Sequence, residues 1–320
     1  MAAVTTSAER NLNRMAIVGV LIVTMIFLAP IYWIASTAFK PRNLSTTVPP
    51  TVVFTPEISP FVKLFTKRSQ MRQQPTPEEY AAAPWWERIV FDGGEKITRD
   101  GKGNVQWSGY PNRFMNSLIV AIISTVLAVG MGTFTAYGFS RFPLKDNDTY
   151  LFIILTTRMM PAIVVIIPIF LMFRLAGLAG TYAGIILLYT AFNIPFSVWM
   201  IKSFFDELNR EVEDAARMDG SSEARVFFKI CLPQVTAGLA ATFVFGLILT
   251  WNEFLFALLL TGVETRTVPV AMARTLGGEI GVDYGLLAAI VTLFLIPIIV
   301  VTFLLQNQLL RGVTFGTVRR

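Results

Sequence analysis

Long apolar runs, separated by short charged stretches, dominate this chain. Uncharged or nearly uncharged windows extend from Met15 to Phe39, Phe114 to Ser140, Thr149 to Phe173, Leu175 to Ile201, Ile230 to Val263 and Tyr284 to Leu310. Each is long enough to cross a hydrocarbon core that needs about 20 apolar residues. None alternates with period two, and a backbone in hydrocarbon must satisfy its own hydrogen bonds, so the pattern predicts helices over a barrel. The expected fold is an all-α membrane protein with six transmembrane helices. Its expected divisions are a cytoplasmic N-terminus over 1–14, a first helix over 15–38, a long extracytoplasmic loop or small cap over 39–113, a five-helix core over 114–310 and a cytoplasmic tail over 311–320. Within the core, 202–233 forms a cytoplasmic loop.

Composition agrees with the pattern. Of 320 residues 54% are apolar and 15% charged, more greasy surface than one water-soluble core can hide. The net charge of +6 comes from 27 basic against 21 acidic residues; in a membrane chain this reflects cytoplasmic loops and not nucleic acid. Arg10, Arg14, the 202–229 loop with Lys202, Arg210, Arg217, Arg225 and Lys229, and the terminal Arg311, Arg319 and Arg320 share one side. The opposite side's short connections hold Arg174, Arg266 and Arg274. Both termini are therefore expected in the cytoplasm. One cysteine, Cys231, and no histidine exclude an internal disulfide and leave no metal or catalytic centre to expect. No G-x-x-x-x-G-K-[ST] phosphate loop is present either.

Local signals add detail. Thr76 to Arg88 predicts a short helix whose Trp85 and Trp86 lie near the membrane interface. Ala128, Gly132 and Ala136 recur every fourth position and allow close helix approach. In the 202–233 loop, Glu211, Glu213 and Asp214 crowd a helix start, Gly220 stands where a left-handed terminating residue is needed, and Ser221 or Ser222 can cap the next helix. The result is a helix, a turn and a second helix, with Met218, Phe227 and Phe228 supplying apolar surface for docking. Arg158, inside the third window, must face a cavity, a structural ion partner or another subunit, and Glu253 is one available counter-ion. Tyr189, Asn193, Trp251, Asn252 and Glu253 could line a pathway for a hydroxyl-rich solute, while Trp251 could equally be an interfacial anchor and Asn193 a partner for backbone freed by Pro195.

The loop's spacing resembles the E-A-A-x-x-x-G motif, followed by I-x-L-P, of importer permeases in the ABC transporter superfamily. Here it reads Asp214-Ala215-Ala216, then Gly220, then Ile230, Leu232 and Pro233, with aspartate where glutamate is usual and Glu213 beside it. Asn116-Ser117-Leu118-Ile119-Val120, Ala136 to Arg141, Trp251 to Phe254, Thr265 to Pro269 and Arg311 to Thr314 are similar to the maltose-type carbohydrate branch. The resemblance covers most of the chain outside roughly 55–110, and the 40–113 loop is longer than expected for that branch. It implies a non-catalytic permease in a bacterial inner membrane, paired with a second, different permease, two ATPase subunits that bind ATP and Mg, and an extracytoplasmic sugar-binding protein. It also implies that Glu213, Asp214, Ala215, Ala216, Asp219, Gly220, Ile230, Leu232 and Pro233 couple to the ATPase, and that Gly312, Val313, Thr314 and Gly316 make a second contact with it. The rival is a secondary carrier or channel working alone, which leaves the cytoplasmic motif unexplained.

Overall fold

The computed structural model describes residues 7–142, 145–276 and 282–308. The tail residues Gly312, Val313, Thr314 and Gly316 lie outside them. The chain divides into two compact units, Met1–Gly109 with Thr275–Phe294, and Tyr110–Arg274 with Leu295–Arg320.

The first unit begins with α1 (Ser7–Thr37), exposed without interruption from Met15 to Trp33. Among the described residues nothing covers that stretch, and so bare an apolar helix face belongs in lipid. The segment after it folds into a cap containing α2 (Ser59–Phe65), β1 (Arg68–Gln70), α3 (Pro77–Ala82), α4 (Trp85–Asp92) and β2 (Glu95–Ile97). β1 and β2 pair antiparallel with Arg68 opposite Ile97. The single helix expected over Thr76 to Arg88 is in fact two. Thr76 and Glu79 form a reciprocal capping box that starts α3, and Pro84 forces the preceding Ala83 into extended backbone, which ends it. Buried Glu87 of α4 is held by Arg99 at 2.6 Å, and buried Lys63 of α2 meets Asp283 at 3.6 Å.

The second unit contains α5 (Tyr110–Arg141), α6 (Asn147–Arg158), α7 (Ala162–Leu175), α8 (Tyr182–Asp206), α9 (Arg210–Met218), α10 (Glu223–Arg225), α11 (Leu232–Gln234), α12 (Thr236–Trp251), α13 (Leu255–Leu260) and all but the last two residues of α14 (Val268–Leu276). A π-helical turn, Val226–Cys231, joins α10 to α11, and α15 (Tyr284–Leu304) runs from the first unit into the second. The α5 and α8 pair makes the most extensive helix contact. Its seam is the small-residue row: Ala128 and Ala136 are buried, and a Cβ added to Gly132 would stand 2.6 Å from that of Ser197.

Among the described residues four helices are long and apolar enough to cross a membrane, or up to six if each of two bent pairs counts as one span. The third window is such a pair: α6 and α7 meet at 85°, because Pro161 cannot continue α6 and biases Met160 away from helical backbone. The fourth window does not start a helix at Leu175. Gly177 and Gly180, at φ +70° and +82°, turn the chain first, and α8 starts at Tyr182 with Thr181 as its cap. The fifth window bends by 71° between Glu223–Gln234 and Thr236–Trp251, then breaks again before α13.

Candidate functional site

Between α8 and α12 the chain forms an elbow whose shape follows from local chemistry. Asn209 caps α9 by accepting from the Glu211 N–H at 3.0 Å, and Glu211 and Glu213 place negative charge in the first turn, where the helix dipole favours it. At the far end Gly220 adopts φ +83°, while Ser221 N–H donates to the Ala216 carbonyl and Gly220 N–H to that of Arg217, the paired bonds of a glycine-terminated helix. Ser222 then caps α10. A Cβ on Gly220 would meet nothing within 4 Å, so backbone conformation alone selects glycine.

The motif residues divide by depth. Val212, Asp214, Ala215, Met218, Asp219 and Gly220 are exposed, and Met218 is 88% accessible. Glu213 points inward and is only 2% exposed. It receives Arg141, from the end of α5, at 2.6 Å, and the same guanidinium donates to the Phe205 carbonyl at 2.7 Å and to Ser140 Oγ at 2.8 Å. This ion pair is buried but fully hydrogen-bonded, the condition under which burial is tolerable. Around it Tyr137, Phe205, Val226, Phe227 and Cys231 form an apolar cluster against which Ala216, Ile230 and Leu232 pack, whereas Pro233 is exposed. Arg217 bridges α9 to α10 by donating to Asp214 and Glu223, both at 2.8 Å. Its hydrogen bond holds the Glu223 carboxyl below the usual carboxylate range.

A second group of polar residues lines a cavity of about 250 Å³ walled by Arg158, Tyr189, Asn193, Thr250, Glu253 and the rings of Phe192 and Phe256, among others. Arg158 donates to the Phe192 carbonyl at 2.5 Å and to Asn193 Oδ1 at 3.2 Å, in the turn before Pro195, which stands inside the continuous α8. Asn193 in turn donates to Thr250 Oγ1 at 2.7 Å. Glu253 caps α13, accepting from the N–H groups of Phe256 and Ala257 at 2.9 and 3.1 Å, and also accepts from the Tyr189 hydroxyl. Arg158 and Glu253 thus share a cavity but form no ion pair with each other among the described residues. The other two pathway candidates lie outside the cavity lining. Trp251 is buried edge-on against Phe114, with ring centroids 5.9 Å apart, and exposed Asn252 donates to the Ile248 carbonyl at 2.8 Å.

Residues 124–315 match the family described as binding-protein-dependent transport system inner membrane component. The chain belongs to this family. A probable ABC transporter permease protein of Sinorhizobium fredii is 31% identical to it, over 93% of this chain and 92% of that one. The trehalose/maltose transport system permease protein of Thermococcus litoralis is 30% identical, over 66% of this chain and 76% of that one. Among solved structures, a chain of a bacterial ABC transporter involved in the import of the acidic polysaccharide alginate has a TM-score of 0.64 at 20% identity, covering 95% of this chain and 98% of its own, which establishes a shared fold. The Sinorhizobium relative and the alginate transporter chain each cover more than nine-tenths of this chain, so the 40–113 segment is not an addition peculiar to it.

Sequence reasoning missed three elements of the inner-membrane-component core. Arg141 stood in the Ala136 to Arg141 string but carried no role until its contact with Glu213 was seen. Thr250 adjoins the Trp251 to Phe254 string, and its hydroxyl, not the indole beside it, reaches the cavity. Asn116 donates to the Glu264 and Arg266 carbonyls at 2.7 and 3.0 Å, Ser117 Oγ accepts from Val268 N–H at 2.9 Å, and Thr265 donates to the Gly180 carbonyl at 3.0 Å. The Asn116 to Val120 and Thr265 to Pro269 strings are therefore two halves of one loop anchor.

Proposed function

We propose that this chain is the membrane permease subunit of an ATP-driven, binding-protein-dependent carbohydrate importer, seated in a bacterial cytoplasmic membrane with both termini inside. In this reading it lines the translocation pathway beside a second, different permease and receives cargo from an extracytoplasmic sugar-binding protein. It is moved by two ATPase subunits that hold ATP and Mg, and does no chemistry of its own. Family membership and the trehalose/maltose name of one relative support the assignment.

The observation that carries it is the elbow. Val212, Ala215 and Met218 recur at intervals of three and form an exposed apolar strip on α9, flanked by Asp214, which is what a partner's cleft requires. Beneath the strip, Glu213 locks to α5 and to the end of α8 through Arg141, so a pull on α9 moves both long helices instead of bending a loop. The coupling residues thus take two roles. Asp214, Ala215, Asp219 and Gly220 meet the ATPase, while Glu213, Ala216, Ile230 and Leu232 root the elbow, with Pro233 closing its second helix. The tail residues Gly312 to Gly316 supply a second ATPase contact. Because α8 also carries Tyr189 and Asn193, its movement reshapes the cavity, which together with Arg158 and Glu253 serves as a station on the cargo's route.

Gly220→Pro tests this directly, since proline cannot adopt a φ near +83°. The expected result is an inserted protein with uptake reduced by at least about tenfold and ATP hydrolysis no longer stimulated by the loaded binding protein. Normal uptake with normal stimulation overturns the coupling role, as does failure of any ATPase to copurify with the tagged wild-type chain.

A further inference from the structure

The cap carries an apolar groove that is part of neither the elbow nor the polar cavity. Within the first unit, Phe39, Phe61, Phe65, Trp85, Trp86 and Trp107 are prominent in the wall of a groove of about 510 Å³. Apart from the indole N–H groups, the only polar side chain among the described residues of that wall is Thr66, whose hydroxyl already donates to the Val62 carbonyl at 2.7 Å. A sugar or an extended peptide would find almost nothing to bond. Yet Trp85 and Trp107 are 60% and 66% exposed, a concentration of aromatic surface that water does not favour.

The groove's position explains it. It starts at Phe39, two residues beyond the end of α1, and the junction is stapled. The Phe39 ring packs tilted against that of Phe61 with centroids 5.0 Å apart, the Phe39 carbonyl accepts from Glu57 N–H at 2.8 Å, and Lys40, 2% exposed, lies with its ammonium 3.8 Å from the centre of the Trp33 ring. The bare apolar face of α1, which requires lipid, therefore leads into the aromatic wall of the cap at the level where a membrane helix emerges. Tryptophan collects at that boundary because its ring is apolar and its N–H seeks water.

We propose that this groove sits in the extracytoplasmic leaflet and takes up phospholipid acyl chains, with Trp85, Trp86 and Trp107 at the headgroup boundary. The cap is then a membrane-seated anchor that fixes the end of α1. The proposal requires that α1 spans the bilayer with its N-terminal end in the cytoplasm, the orientation taken from the proposed function, and tryptophan quenching reads lipid contact whether or not the chain is coupled to an ATPase.

The test uses the full-length chain in phosphatidylcholine nanodiscs, with single-tryptophan variants in which every tryptophan but Trp85, or every one but Trp107, is replaced by phenylalanine. Lipids brominated near the carbonyl end of the acyl chain are expected to quench each reporter roughly twofold, while aqueous acrylamide quenches weakly. Strong acrylamide quenching with no effect of bromine places the groove in water and overturns the proposal. Protection from both quenchers in the assembled transporter overturns it in favour of a protein occupant. Because the Trp251→Phe change in these variants touches a buried residue, the unmodified chain is also photolabelled with a diazirine phospholipid. Label on peptides spanning 58–66 and 85–107 supports the groove, and label confined to the membrane helices overturns it.

Discussion

Two arginine and glutamate neighbourhoods in the second unit are built to opposite ends. At the root of the elbow Arg141 and Glu213 meet at 2.6 Å with side chains 4% and 2% exposed, and the guanidinium's other contacts are the end of α8 and Ser140. In the cavity, Arg158 and Glu253 line the same space but turn to different partners, Arg158 to a carbonyl and an amide, Glu253 to a helix start and a tyrosine hydroxyl. A pair closed on itself is a joint that holds α9 to α5 and to the end of α8. Charges that share a cavity without pairing keep separate hydrogen bonds, while the cavity's formal charge stays balanced.

The largest expected effect comes from opening the joint. Glu213→Ala strands a buried guanidinium and should cost about 3–5 kcal/mol, read as a lowered thermal midpoint in detergent and faster proteolysis within 206–236. Wild-type melting and protection would mean that the pair is not a joint and would remove the contrast. Arg158→Met keeps the side chain's length and removes its charge. Its expected signature is a stability change within about 1 kcal/mol and an uptake loss of about tenfold, from lost hydrogen bonds to a charged group. Destabilisation as large as that of Glu213→Ala would show that Arg158 is a joint as well. The smallest effect belongs to the exposed Arg217 and Glu223 contact. The Glu223 carboxyl is held low by its hydrogen bond to Arg217, so the contribution is present above the ordinary carboxylate range and is lost as pH falls through the lowered folded value. With the Glu223 side chain 57% exposed, screening limits it to a few tenths of a kcal/mol. After correction for the pH dependence of intrinsic exchange, amide protection in α9 and α10 should fall on acidification, and Glu223→Gln should flatten that dependence; protection that falls as pH rises would reverse the sign and refute the assignment.

What was legible in advance was local. Gly220 and Ser222 were readable because a helix stop and the next cap depend on neighbours in sequence, and both sit as expected. The small-residue row of α5 was readable because helical periodicity places every fourth residue on one face. Glu213 and Asp214 looked interchangeable in sequence, yet one is buried and the other exposed, because adjacent helix positions differ by about 100° and Arg141 approaches from only one side. The same rotation separated Trp251, packed on Phe114, from the cavity that Thr250 reaches. Prolines alone did not say where the chain would break: Pro161 stands at an 85° turn, whereas Pro195 stands inside the continuous α8.

From its order of residues alone this chain was committed to the bilayer, to helices and to a glycine-terminated elbow, since hydropathy, backbone hydrogen bonding and a left-handed φ act over a few residues at a time. Only the folded arrangement decided which glutamate is locked and which is displayed, which polar groups share a cavity, and that the segment after α1 is a capped aromatic surface and not an open loop. Those outcomes rest on contacts between residues such as Arg141 and Glu213 or Arg158 and Asn193, which are dozens of positions apart, and no local preference encodes their distances of 2.6 and 3.2 Å.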